Sequence, residues 1–226
     1  MQSHNLQSVG LALVSLIAGV LIGAVGGQMF NISDETVTKT TDEAPNAQTP
    51  ATDFRTQINL VMSQHVETTY DALVSGYEED AASQLATERA ERVNEDVIAT
   101  LGVVYGDEEL NEFNEAWSDY TTSLQNYAAA TADQSASDVV DAEDSIDEAA
   151  SSIGLAIEDL TQENMDEAMV EERFGDYTRD LIRAFDAATA GNFDESYTHL
   201  DDANRQLVNL ADDLSEAVIT ARQDQF

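Results

Sequence analysis

Leu110–Tyr127 reads LNEFNEAWSDYTTSLQNY, with its large apolar residues at Leu110, Phe113, Trp117, Tyr120, Leu124 and Tyr127. The steps alternate between three and four, which places all six side chains along one face of an α-helix about five turns long. A strand would need steps of two. The stretch therefore predicts a helix whose aromatic seam packs against other helices.

The same spacing recurs on both sides. Towards the N-terminus, a helix over about 53–77 carries Phe54, Ile58, Val61, Met62, His65, Tyr70, Leu73 and Tyr77, and one over about 81–105 carries Leu85, Val93, Val97, Leu101 and Val104. Towards the C-terminus, a fourth helix carries Val139, Ala142, Ile146, Ala149, Ile153, Ala156 and Leu160. A fifth, about 165–190, carries Val170, Phe174, Tyr177, Leu181, Phe185 and Ala188, and a sixth, to about Arg222, carries Phe193, Tyr197, Leu200, Leu207, Leu214 and Val218. Both prolines, Pro45 and Pro50, precede all of this, so nothing in the later chain forces a helix to break. Short connections predict antiparallel neighbours, and the expected fold is an all-α bundle of about six amphipathic helices spanning 53–226. Asp107 after Gly106, Asn164 with Glu167, and Asn192 with Glu195 are the expected helix starts.

A shift of 115 residues aligns Val66 with Leu181, Tyr70 with Phe185, Asp71-Ala72 with Asp186-Ala187, Gly76 with Gly191, Leu85 with Leu200 and Asn94 with Asn209. This pattern suggests a repeated helical hairpin, 61–98 and 176–213, against the alternative that any two amphipathic hairpins align this well.

Ahead of the bundle the composition changes. Val9–Val25 is apolar apart from Ser15 and its glycines, and no charge occurs from Leu6 to Phe30, so 1–30 is expected to be a transmembrane anchor. A cleaved signal peptide is the competing reading, since Ala24-Val25-Gly26 is a small-x-small site. Ser15, Gly19, Gly23 and Gly27 recur every four residues, a stripe on which spans can pack, so a homo-oligomer or a membrane partner is expected through it. Segment 31–52, rich in threonine, reads as an extended linker, and Asn31-Ile32-Ser33 is a glycosylation sequon at its start. Both features place the bundle outside the cytoplasm at the cell membrane, on a single-pass chain.

The charge narrows the setting. With 45 carboxylates against 9 basic residues, the net charge is −36, and Lys39 is the lone lysine. Such a coat repels itself at low ionic strength and is screened near molar salt, where the Debye length is about 3 Å, so the sequence reads as that of a halophile. Nucleic acid is excluded as a partner, because no basic patch exists to neutralise phosphates. The chain has no cysteine, which removes disulfides and thiolate chemistry.

Sites with chemical potential are few. His65 lies on the apolar face of the first helix and is the candidate metal ligand, set against a hydrogen-bonded core histidine. His199, four residues after Glu195 and followed by Asp201-Asp202, is the other histidine near carboxylates. Asp133-Gln-Ser-Ala-Ser-Asp opens like a calcium loop but lacks its sixth-position glycine and reads as a turn. Trp117, Tyr120 and Tyr127 suit either a core seam or an aromatic pocket. No catalytic set and no cofactor motif is present, and the expected activity is non-enzymatic: a membrane-tethered surface or envelope interaction protein. The alternatives are a module that binds a metal or small ligand near His65 and Trp117, and a sensory ectodomain that works through a signalling partner.

His65, Tyr70 to Gly76, Asn94, Val104-Tyr105-Gly106, Trp117 with Tyr120, and Ala184-Phe185-Asp186-Ala187 leading to Gly191 together give the bundle a likeness. It resembles a helical-bundle domain of secreted prokaryotic proteins, some associated with copper-amine-oxidase-like N-terminal domains. The resemblance implies an all-helical secreted domain. Members carry histidine where this chain has Tyr120 and Asp180, so a metal role resting on those histidines does not carry over.

Overall fold

A computed structural model describes residues 49–78 and 82–226. The chain divides into two units, Met1–Glu43 and Ala44–Phe226, and the fold below is that of the second. The expected anchor, the sequon at Asn31 and the stripe Ser15, Gly19, Gly23 and Gly27 lie outside the described residues. Among the described residues, no helix is long and apolar enough to cross a membrane.

Six α-helices follow one another with no strand among the described residues: α1 (Pro50–Glu78), α2 (Ser83–Gly102), α3 (Asn111–Ala132), α4 (Ala136–Leu160), α5 (Glu167–Thr189) and α6 (Phe193–Ala221). A 3-10 turn over Gln223–Gln225 ends the chain. The helices pair as three hairpins, α1 with α2, α3 with α4 and α5 with α6. Helix α1 is the centre of the assembly, touching α2, α3, α5 and α6, whereas α2 packs mainly against α1.

Periodicity places most of the core correctly. Leu110, Phe113, Trp117, Tyr120, Leu124 and Tyr127 are all buried, together with Ile58, Val61, Met62 and Val66 of α1 and Phe174, Tyr177, Leu181 and Phe185 of α5. The backbones of α3 and α5 stay apart, and their aromatic rings fill the distance: Tyr120 meets Phe174 at 4.7 Å and Trp117 meets Phe174 at 6.0 Å between ring centroids. Three expected seam residues are instead exposed, namely Leu85, Phe193 and Tyr197. Each lies off the face that its helix buries, which in α2 runs through Ala90, Val93 and Val97 and in α6 through Ser196, Ala203 and Leu207.

The helix ends also depart from expectation. Helix α1 starts at Pro50, three residues before the expected start, with proline in the first turn, where its missing N–H costs nothing. Thr49 Oγ1 caps it by accepting from Thr52 N at 3.2 Å. Asp107 does not start α3, because Gly106 O takes up Glu109 N and Leu110 N and the chain makes an extra turn before Asn111. Asp166, not Asn164, caps α5 by accepting from Met169 N at 3.2 Å, while Asn164 donates to Thr161 O. Asn192 stands at the start of α6 without a side-chain cap bond. The α5–α6 turn closes through Gly191, whose φ of +80° lets Asn192 N reach back to Ala187 O at 2.8 Å.

Candidate functional site

His65 sits on the α1 face that also presents Ile58 and Met62, and it is fully buried. Its ring lies 4.7 Å from Trp117 and 6.3 Å from Tyr177, so residues of α1, α3 and α5 converge there. His65 Nδ1 donates to Asn94 Oδ1 at 2.8 Å, which ties α1 to α2. With the proton on Nδ1, the Nε2 lone pair faces the aromatic core without a partner among the described residues. Burial lowers the His65 pKa from 6.5 to about 4, against the opposing bond to Asn94, so the ring is neutral near pH 7.

The neighbouring hydroxyls form a short relay. Thr178 donates to Phe174 O at 2.9 Å, which leaves Tyr120 to donate to Thr178 Oγ1 at 3.0 Å. Tyr177 Oη sits beside that of Tyr120 but outside hydrogen-bonding geometry. Burial pushes both phenols up, so neither ionises in the ordinary range. Trp117 Nε1–H is likewise buried, without a partner among the described residues.

Above this cluster the bundle is open. A cleft of about 390 Å³ runs between α2 and α3, with Asn94, Ile98 and Trp117 among its lining residues. Glu91 and Glu95 line it from α2, and Asn114, Ser118 and Thr121 from α3. The spacings explain the arrangement: Glu91 and Glu95 are one turn apart, as are Asn114 and Ser118, so each helix turns one polar flank to the gap. On the other side of Trp117, among Met62, Phe174, Leu207 and Leu214, lies a closed void of only about 10 Å³ with apolar walls.

The sequence brings His65 and Trp117 forward, and the structure joins them. It does not surround His65 with further metal ligands: among the described residues, no group of three or more His, Asp or Glu side chains is placed to hold an ion. His199 faces Asp180 of α5 at 3.6 Å rather than Glu195 or the Asp201-Asp202 pair. Tyr127 stands apart from the His65 cluster, donating to both oxygens of Asp186 at 3.2 Å. Burial raises the Asp186 carboxyl, against that bond. The Asp133 segment is a tight turn, with Gln134 at φ 56° and Ser135 N bonded to Ala130 O. Tyr120 and Asp180, the histidine positions of the resembling domain, have different surroundings, one sealed in the core and the other bonded to Gln206 Nε2 at 2.8 Å. Sequence reasoning missed Glu91, Glu95, Asn114, Ser118 and Thr121, which look like ordinary solvent-facing residues until α2 and α3 are seen to part. Compared with known proteins, the chain matches no family model, no curated protein and no solved structure.

Proposed function

We propose that this chain is a non-enzymatic recognition module, tethered to the cell membrane of a halophile by residues 1–30 and held outside the cytoplasm on the 31–52 linker. The α2–α3 cleft is its binding site. One observation carries the reading: the bundle opens along this seam, between a polar flank of α2 and one of α3, with Trp117 among the residues that line the opening. Amides, hydroxyls, carboxylates and an aromatic floor are the parts of a pocket that binds a small polar molecule. The acidic coat keeps the module hydrated in concentrated salt, and the Ser15, Gly19, Gly23 and Gly27 stripe offers a way for the spans to associate. The small-ligand form of the binding reading is favoured over the metal form, because Glu91 and Glu95 line the open cleft while His65 lies beneath it.

The test is photo-crosslinking in native membranes at molar salt. A benzophenone amino acid replaces Ser118, at the cleft, or Asp141, on the exposed side of α4, and intact mass is measured after irradiation. Adducts at 118 and not at 141 are expected. Equal labelling at both positions, or none at 118, removes the cleft as the binding site.

A further inference from the structure

Helix α2 is held to the bundle by little apolar surface. Its buried residues are Ala90, Val93, Val97, Thr100 and Leu101, with a single leucine and no aromatic ring, and it rests mainly on α1. An open cleft lies on either flank of that face. One, of about 390 Å³, is shared with α3; the other, of about 570 Å³, separates the last turns of α2 from the start of α1, with Phe54, Val104 and Phe226 among its walls. A helix supported on one side and bordered by solvent on two is an element that opens locally, before the rest of the fold is lost.

The connection after α2 separates its motion from that of α3. Gly102 ends the helix and Val103 is 80% exposed, so the joint itself is loosely packed. Tyr105, just beyond, is buried and donates to Leu160 O at 2.8 Å. The Arg222 guanidinium lies 4.8 Å from the centre of its ring and donates to Glu109 at 2.8 Å. These contacts pin the chain to α4 and to the end of α6, and α2 can lift without drawing α3 after it.

Of the polar ties between α2 and α1, the exposed Arg89–Asp71 pair at 3.5 Å is worth little. The inner tie, His65 Nδ1 to Asn94 Oδ1, suits a neutral ring. A proton added at Nε2 would make a donor without an acceptor among the described residues, on a cation sealed from water. The rings facing His65 are Trp117 of α3 and Tyr177 of α5, and burial holds the Tyr177 phenol uncharged. Glu91 and Glu95, beside Asn94 on α2, are exposed, and among the described residues no carboxylate pairs with His65. Lifting α2 takes Asn94 away and lets water reach the ring.

We infer that α2 is a lid latched by neutral His65: protonation of the imidazole releases it, and the helix swings out about residues 102–104 while the other five helices stay folded. Opening uncovers the α1 face beneath and widens the α2–α3 cleft. The device stands whether or not that cleft is the binding site. With the ring titrating near 6.5 when open and at about 4 when closed, the open population rises about 30-fold between pH 7.5 and pH 5. Asp71, whose carboxyl burial raises, takes up its proton in the closed state and opposes the opening.

Backbone hydrogen exchange of the full chain, in detergent at molar potassium chloride, tests this by mass spectrometry of its peptides, with protection corrected for the intrinsic effect of pH. Helix α2 is expected to be less protected than α6 at both pH values, and its protection to fall about 30-fold from pH 7.5 to pH 5. His65→Gln, which cannot take up the proton, is expected to abolish that fall. Asn94→Asp, a change on the partly exposed flank of α2, gives the imidazolium a carboxylate partner and is expected to reduce the fall several-fold in a chain that keeps its histidine. Equal protection of α2 and α6 would show that α2 does not open on its own. A fall of undiminished size in either variant would show that His65 is not the latch.

Discussion

The first and last hairpins carry a matching sequence pattern in different settings. Helices α5 and α6 are wedged between α4 and α1, whereas α2 lies on the outside with α1 as its main support. The buried side chains of α2 are Ala90, Val93, Val97, Thr100 and Leu101; α6 buries Leu207, Leu210, Leu214 and Val218 besides several smaller residues. Matching positions answer this difference with different chemistry. His65 is sealed and reaches across to Asn94, supplying a polar tie where apolar contact is thin. Its counterpart Asp180 keeps 13% of its side chain exposed and gathers Gln206 at 2.8 Å, Arg183 at 3.4 Å and His199 at 3.6 Å. The carboxylate sits among solvent and donors, while the histidine tolerates full burial by giving up its proton.

The widest separation between the two hairpins is expected from one substitution made on each. Leu207→Ala on α6 removes a side chain that already borders the small apolar void, in a seam hemmed in on both sides, and should cost about 4 kcal/mol. Leu101→Ala on α2 removes an equally buried leucine, but α2 has open clefts on both flanks and can settle inwards, so about 2 kcal/mol is expected. Denaturant titration at molar salt measures both. Equal costs would mean that α2 is fixed as firmly as α6, and the contrast would fail.

Next in size is the pH dependence that His65 builds into the α1–α2 side. The unfolded ring titrates near 6.5 and the folded one at about 4, so between these values the unfolded chain binds the extra proton. The stabilisation is complete above pH 6.5, declines as the pH falls, and is lost once the pH passes below about 4. For a fully buried ring the difference amounts to about 3 kcal/mol. Asp71 and Asp186, whose carboxyls are raised by burial, act in the opposite direction, with the native state taking up their protons first. Subtracting the profile of His65→Gln from that of the wild-type chain cancels their contribution. A wild-type profile parallel to that of the variant between pH 4 and 6.5 would refute the buried neutral imidazole.

Much of this was legible in the chain because a bundle seam is a one-dimensional pattern. The steps from Leu110 to Tyr127 gave a helix whose six marked residues are all buried, and the same logic worked for α1, α4 and α5. It failed for Leu85, Phe193 and Tyr197, since near a helix start a large apolar side chain can stand off the buried face while a small one occupies it, as Ser196 does between Phe193 and Tyr197. His65 and Trp117 both read as seam residues and together as the place for a binding pocket, but that α1 meets α3 does not follow from the order of the helices, which predicts contact only between successive ones. The cleft could not be anticipated: Glu91, Glu95, Asn114, Ser118 and Thr121 look solvent-facing in either case, and only the separation of α2 from α3 makes them walls. Cap positions were the least legible, because Asp166 and Asn164 are both sound N-cap residues and the path of the α4–α5 turn decides between them.

The smallest expected effects come from two glycines that place the same contrast on the backbone. Gly154 lies where α4 presses on α5, and a Cβ there would stand 3.1 Å from Glu167 O and 3.5 Å from Glu167 Cγ. The first of these is backbone, so relief requires α5 itself to move. Gly102 ends α2, and a Cβ there would meet only Leu110 Cδ1 at 3.8 Å, an ordinary contact with a flexible side chain. Alanine is the better helix former by up to about 1 kcal/mol, less at a helix end. Gly102→Ala is therefore expected to stabilise the chain by about 0.5 kcal/mol. At Gly154 the same gain is outweighed by overpacking, which commonly costs about 1–3 kcal/mol, for a net loss of about 1 kcal/mol. Melting temperatures of the two variants in the same molar-salt buffer give the signs directly. A stabilised Gly154→Ala would show that α4 and α5 can separate without penalty, and that the looseness assigned to the α2 side extends across the bundle.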